Sequence, residues 1–129
     1  MLFFIHFEVT VPADTPAELK EQLRKGEHAR AFEFIEAGKI RRIWRPVGTA
    51  DTCCIWEADS LEELHAAVRS LPLYPYMKLS VTPLVEHPVT TARKKEHGPM
   101  PAFWGDQPDS RACAASAIGS SAAAFSHPH

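Results

Sequence analysis

The sequence has few features that would tie it to a membrane or to nucleic acid. Its longest apolar runs, such as residues 2–5, are far shorter than the ~20 residues that span a bilayer. The N-terminus lacks a basic stretch followed by a long apolar segment, so no secretory signal is visible. The formal net charge is −2 over 129 residues, too small to recruit nucleic acid or anionic lipid. We therefore expect neither a membrane nor a nucleic acid as a partner.

Patterns for disulfides, metals and nucleotides are also missing. The three cysteines are an odd number, and the adjacent Cys53 and Cys54 would point to opposite faces of a strand. No pair of histidines has the spacing of a metal site. GxGxxG, Walker and GxSxG motifs are absent, which disfavours nucleotide enzymes and serine hydrolases. The sequence predicts free thiols in a reducing cytoplasm and no bound metal.

Two helical segments alternate with strand-like segments. Apolar residues alternate along 2–11, and further strands are predicted over 39–48, 52–58 and 77–82. The first helix is predicted to start at an N-cap Thr15, with Pro16 and Glu18 following, and to end at Gly38. The second is predicted to start at Ser60. This order, β-α-β-β-α-β, indicates an α+β fold of the ferredoxin-like type.

Two helices can cover only one face of such a sheet. The other face would carry Phe4 and His6, so we expect a homo-oligomer whose dimer contacts lie there. We assign residues 1–97 to this domain. Residues 98–129 are rich in Ala, Ser, Gly and Pro and are predicted to be a flexible tail. A docked tail, with Phe103 and Trp104 on a neighbouring subunit, is the alternative.

Glu27 is an anomaly in the first helix, because it falls on the inward-facing apolar stripe. This stripe is formed by Leu19, Leu23, Ala31 and Phe34 and continues toward Ile35. Arg24 and Arg30 lie one turn to either side. One interpretation is a structural ion pair at the edge of the core. The other is a carboxylate in a partly dry cleft that accepts and returns a proton. Burial would raise its pKa and arginines would lower it, and the sequence does not decide between them.

A basic cluster and one histidine are further candidates. Arg41, Arg42 and Arg45 flank Trp44, and an arginine fork suits a substrate carboxylate. A solvated edge strand that discourages aggregation explains the cluster equally well. His6 lies on the uncovered strand face, where it could line a cleft, although a buried, hydrogen-bonded histidine is the more frequent outcome.

Several segments together resemble the muconolactone Δ-isomerase family. They are Met1-Leu2-Phe3, Glu27, Gly38, Trp44-Arg45, Leu64-His65, the string LPLYPYM at 71–77, and His87-Pro88. The resemblance covers roughly residues 1–90, and the LPLYPYM string is its most specific part. It implies a ferredoxin-like, cofactor-free enzyme that forms a ring-like, dimer-based homo-oligomer such as a decamer. Its active sites would lie in clefts between subunits.

The resemblance also implies a reaction and roles for residues. Members of the family shift a double bond within a lactone of the 3-oxoadipate pathway of aromatic catabolism, by suprafacial proton transfer through one glutamate. Glu27 falls on that position, and Arg24 falls where the family has a lysine. Glu27 and Arg24 are thus the expected catalytic residues. As substrate-binding residues, Arg45 is expected to hold the carboxymethyl group of the lactone, and His6 and Tyr76 are expected to line the cleft.

The segment from Thr49 to Cys54 departs from the family, which usually has an aromatic-Ala-Asn-Tyr type of sequence there. The departure leaves the exact substrate open. A chloromuconolactone dehalogenase, or a related lactone isomerase or cyclase, is one alternative. A non-catalytic dimeric α/β-barrel protein that binds a small molecule is another.

Overall fold

The computed structural model describes residues 1–104, and the chain divides into two compact units, Met1–Val85 and Glu86–His129. The predicted boundary between residues 97 and 98 stays a prediction. Residues 105–129 of the predicted tail lie outside the described residues. No helix in the described part of the chain is long and apolar enough to cross a membrane.

The first unit is a four-stranded antiparallel sheet with two helices. Along the chain its elements are β1 (Leu2–Val9), α1 (Ala17–Glu36), β2 (Ile40–Trp44), β3 (Thr52–Glu57), α2 (Leu61–Arg69) and β4 (Met77–Leu84). A 3-10 turn, Tyr74–Tyr76, precedes β4. The strand order β2-β3-β1-β4 confirms the predicted ferredoxin-like α+β fold.

The second unit begins with a helix that the sequence analysis did not anticipate. This helix, α3, spans Pro88–His97 and has the ring nitrogen of His87 accepting a hydrogen bond from the Val89 N–H at its start. A 3-10 turn follows at Ala102–Trp104. The predicted tail therefore begins directly after a helix, at Gly98, whose φ is +81°.

The core lies between the helices and one face of the sheet. Alternation along β1 buries Phe3, Ile5 and Phe7, as predicted, and the Phe34 ring of α1 packs 4.9 Å from the Trp56 ring of β3. Each such large apolar side chain contributes about 1.5–3 kcal/mol when fully buried. The opposite side of the sheet, here called the open face, carries no helix of this unit.

Most of the predicted helix ends are correct. Gly38 adopts φ +77° just after α1, and the Lys39 N–H donates to the Phe34 carbonyl, which closes a left-handed cap. The Ser60 hydroxyl accepts the Glu63 N–H at 3.0 Å, as a capping box requires. The Thr15 cap is wrong. Pro16 has an extended backbone with ψ 141°, so the helix starts one residue later and has no side-chain cap.

The apolar stripe of α1 is shorter than predicted. Phe34 is buried and Ala31 packs against the core. Leu19 and Ile35, which were expected to face inward, are 40% and 39% exposed, and Phe32 is 63% exposed. The open face also exposes apolar side chains, among them Phe4 and Trp44. Apolar surface therefore remains uncovered on both α1 and the open face.

Candidate active site

The Glu27 side chain is half-buried and reaches the segment that follows α2. Its Oε1 atom accepts a hydrogen bond from the backbone N–H of Leu73 at 3.0 Å. Leu73 belongs to the LPLYPYM string, and its neighbour Leu71 is part of the core. The segment with the most specific sequence therefore fixes one oxygen of the carboxylate, and Oε2 has no hydrogen-bond partner among residues 1–104.

Gly26 explains how this segment comes so close to α1. A Cβ atom at Gly26 would lie 3.3 Å from Cγ of Pro72, which is tighter than ordinary van der Waals contact. A glycine inside a helix costs about 1 kcal/mol relative to alanine. That cost is tolerated here at the position directly before Glu27, where it lets the Pro72-Leu73 backbone approach the helix.

Burial dominates the electrostatics of the carboxyl group. Removal from water raises the pKa of Glu27, while the Leu73 N–H and, more weakly, His28 act in the opposite direction. The competition between burial and arginine that the sequence left open is therefore decided by burial. A carboxyl group whose pKa is raised toward neutrality is better matched to proton exchange with a weakly acidic carbon.

Neither neighbouring arginine pairs with Glu27 in this chain. The Arg24 side chain binds Glu21 through two hydrogen bonds, of 3.0 Å and 2.5 Å, and is exposed. The Arg30 side chain donates to the Ser70 hydroxyl at 3.0 Å, pairs with Glu33, and lies 4.3 Å from the centroid of the Phe34 ring. Among the described residues, the structural ion pair considered for Glu27 is thus not formed.

A mostly apolar cleft of ≈ 320 Å³ lies between α2 and β4. Its lining residues are Leu61, Leu64, His65, Val68, Tyr74, Leu79 and Val81. Tyr74 directly follows the Leu73 that binds Glu27, but Glu27 itself does not line the cleft. Tyr76, a predicted binding residue, is partly buried at the end of the 3-10 turn before β4, and its carbonyl accepts the Thr10 N–H at 3.0 Å.

The other two predicted binding residues, His6 on the open face and Arg45 directly after β2, are linked. His6 Nε2 lies 3.0 Å from Oδ2 of Asp51, and Arg45 Nε donates to the Asp51 carbonyl at 3.2 Å. Asp51 is in the turn between β2 and β3. We call His6, Arg45 and Asp51 the Asp51 cluster. His6 and Arg45 were predicted from the sequence, whereas Asp51, the residue that joins them, was not.

The predicted site residues therefore form two groups. Glu27 belongs to the helical side of the sheet, with Arg24 one turn away on α1 and Tyr76 following the loop that holds the carboxylate. His6 lies on the open face, and Asp51 joins it to Arg45. Gly26, in the helix interior next to Glu27, was a sequence signal for the close approach of the Pro72-Leu73 backbone to α1. The Leu73 N–H left no sequence signal, because every non-proline residue carries one.

Comparison with known proteins identifies the family. The family model for muconolactone delta-isomerase matches residues 1–90. The chain belongs to the muconolactone delta-isomerase family. It is 40% identical over 88 residues to the Muconolactone Delta-isomerase of Acinetobacter baylyi, and 39% identical over 88 residues to Muconolactone Delta-isomerase 1 of Acinetobacter lwoffii. Each match covers 68% of this chain and 92% of the relative.

A solved structure agrees with this assignment. The crystal structure of muconolactone isomerase matches with a TM-score of 0.66 and 33% identity, over 68% of this chain and 92% of that one. The family confirms the predicted resemblance and, with it, the expectation of an isomerase. The roles of individual residues rest on the geometry above. Within residues 1–104 no cluster of three or more metal-ligating side chains is present.

Proposed function

We propose that this isomerase converts muconolactone to 3-oxoadipate enol-lactone and that Glu27 carries the proton. One observation carries the proposal: a half-buried carboxylate with a raised pKa, held by the Leu73 N–H, at the family's glutamate position. The names of the relatives, together with the family match over residues 1–90, which contain this site, support muconolactone as the substrate. No cofactor is needed for the reaction, because the proton that leaves one carbon returns to another.

The proton transfer has two steps. Ionised Glu27 removes an acidic proton from a carbon of the lactone ring, and the electrons of the broken C–H bond enter a dienolate. Protonated Glu27 then delivers the same proton to the other end of the allylic system on the same face. The Leu73 N–H holds Oε1, so Oε2 is the atom that carries the proton. A fixed carboxylate of this kind loses little freedom at the moment of transfer.

The remaining predicted residues have supporting roles in this proposal. Arg24 stabilises the negative dienolate, because it lies one turn from Glu27 and its side chain is exposed enough to turn. Arg45 binds the carboxymethyl group of the substrate, and His6 and Tyr76 line the site. Since Glu27 lies on the helical side of the sheet and His6, which Asp51 joins to Arg45, lies on the open face, we infer that the complete site combines two copies of the chain.

The uncovered apolar side chains support such an assembly. Phe32 on α1 is 63% exposed and Trp44 on the open face is 50% exposed, and apolar patches of this kind are typical of surfaces between subunits. We propose a dimer-based homo-oligomer, such as a decamer, whose dimer contacts lie on the open face and whose active sites lie in clefts between subunits. The free thiols of Cys53 and Cys54 support a cytoplasmic location.

A spectroscopic assay with muconolactone tests the reaction, and subunit mixing tests the shared site. Glu27→Gln and Arg45→Ala proteins should each be nearly inactive when pure. After the two are dissociated together and reassembled, about a quarter of the sites should combine both native residues and recover activity. Reassembled single variants are the control. A mixture no more active than its components would refute the two-copy site, and an inactive wild-type protein would refute the function.

A further inference from the structure

We propose that Asp51 is a positioning residue, which holds Arg45 so that its two Nη nitrogens present a fork to the substrate carboxylate. The inference rests on the proposed function for the identity of the ligand, a lactone that carries a carboxylate. The geometry on which it stands is that of the Asp51 cluster alone. Asp51 binds a residue of β1 with its side chain and a residue that follows β2 with its backbone.

The first contact anchors the turn. A carboxylate can only accept, so the 3.0 Å contact makes His6 Nε2 the donor to Oδ2 of Asp51. His6 lies in the middle of β1 and is paired with β3 on one side and β4 on the other. The bond therefore ties the turn between β2 and β3 to the most firmly held strand of the sheet. The side chain of Asp51 is 25% exposed, which protects the bond partly from water.

The turn itself is internally closed. The Thr49 hydroxyl donates to the Pro46 carbonyl at 3.0 Å and accepts the Asp51 N–H at 3.1 Å. Gly48 supplies the positive φ of +84° that the turn requires. Once the Asp51 side chain is fixed, the direction of its carbonyl is therefore fixed as well. That carbonyl is the acceptor for Arg45 Nε.

The second contact determines how Arg45 can bind an anion. Arginine offers a carboxylate two kinds of fork, one made by Nε and one Nη, the other made by both Nη nitrogens. The Asp51 carbonyl occupies Nε, which leaves the fork made by both Nη nitrogens. Among residues 1–104 neither Nη nitrogen of Arg45 has a hydrogen-bond partner. The Asp51 carbonyl therefore holds the guanidinium at Nε, and the two Nη nitrogens are available to the ligand.

Substitutions of Asp51 test this role through the KM for muconolactone. Asp51→Ala removes the anchor and should raise KM about five- to tenfold with little change in kcat. Asp51→Asn keeps an oxygen that accepts from His6 and should restore a KM near that of the wild type. In an Arg45→Ala background, whose residual turnover is measured at high enzyme concentration, Asp51→Ala should cause no further loss of kcat/KM, because it acts through Arg45. Asp14→Ala, which removes an exposed carboxylate elsewhere, is the matched control.

Two further measurements separate positioning from general damage and from failure of the proposed function. With the neutral methyl ester of the substrate, Asp51→Ala should leave KM unchanged. An equal increase in KM for the acid and for the ester would overturn the inference. In protein labelled with ¹⁵N-arginine, the Nε–H signal of Arg45 should be protected from exchange in wild type and Asp51→Asn, and unprotected in Asp51→Ala. This signal does not depend on turnover. An unprotected signal in the wild type would overturn the inference even if the enzyme is active.

Discussion

Replacing Glu27 by glutamine separates the two interpretations of this residue more sharply than any other change. The amide has nearly the same size and keeps an oxygen that can accept the Leu73 N–H. It cannot take up a proton at working pH. If Glu27 is the proton carrier, turnover should fall by ~10²–10⁴, the usual contribution of a general base. That loss corresponds to about 3–5 kcal/mol of transition-state stabilisation.

The expected effect on stability is much smaller. No ion pair is lost, because Arg24 and Arg30 bind other partners in this chain. The hydrogen bond from Leu73 becomes neutral, which costs about 1 kcal/mol relative to a charged acceptor. Removal of a half-buried charge offsets that cost, since burial already raises the pKa of the carboxyl group. The free energy of unfolding should therefore change by no more than about 1 kcal/mol.

The direction in which stability changes with pH is an independent test of the raised pKa of Glu27. A carboxyl group whose pKa is raised in the folded state stabilises the fold fully below its unfolded pKa, roughly 4.3. This contribution is lost as the pH rises through the folded pKa of Glu27. Wild type should thus lose stability relative to Glu27→Gln across that window, as measured by urea unfolding at a series of pH values.

Kinetics and urea unfolding on the same preparations distinguish a catalytic role of Glu27 from a structural one. Glu18→Gln, at an exposed position in the first turn of the same helix, should leave turnover unchanged. Folded Glu27→Gln that turns over at the full rate would refute the assignment of Glu27 as the base. A variant that loses several kcal/mol of stability while its folded fraction stays active would instead indicate a structural role.

Three further changes test the surroundings of the site. Gly26→Ala should preserve or raise helix stability, by up to about 1 kcal/mol. It should also lower kcat, because pushing Pro72 away moves the Leu73 N–H that holds the Glu27 carboxylate. Thermal unfolding and kinetics measure the two effects separately. Ser60→Ala should cost about 1 kcal/mol in urea unfolding, since it removes the N-cap of α2. Cys54, whose pKa burial raises to about 12, should resist alkylation at pH 8 in the folded protein, as peptide mass spectrometry would report.

Much of the fold could be predicted because its signals are local. The alternation of Phe3, Ile5 and Phe7, the cap at Ser60 and the left-handed Gly38 each depend on a few neighbouring residues. The N-cap predicted at Thr15 was wrong although its signal was local, because Pro16 adopts an extended backbone and does not occupy the first helical position. Periodicity also overstated how far the inward-facing stripe of α1 extends, since Leu19 is 40% exposed in a single copy.

The site was predictable only in part, for a reason that concerns side-chain partners. A carboxylate on an apolar stripe pointed to Glu27 from helical spacing alone. Its donor, the Leu73 N–H, lies 46 residues away, and no local pattern reveals such a contact. Likewise, His6 and Asp51 are 45 residues apart. Contacts of this kind depend on how the strands and loops are brought together, which sequence spacing does not encode.

The partners of the two arginines on α1 are compatible with the chemistry that Glu27 is proposed to perform. An arginine bound to that carboxylate would lower its pKa and occupy the oxygen that must receive the proton. Each arginine instead has an acidic partner three residues away on the same helix, Glu21 for Arg24 and Glu33 for Arg30. These exposed pairs contribute little to stability. Their consequence for the site is that neither arginine binds the Glu27 carboxylate, so that burial sets the direction of its pKa shift.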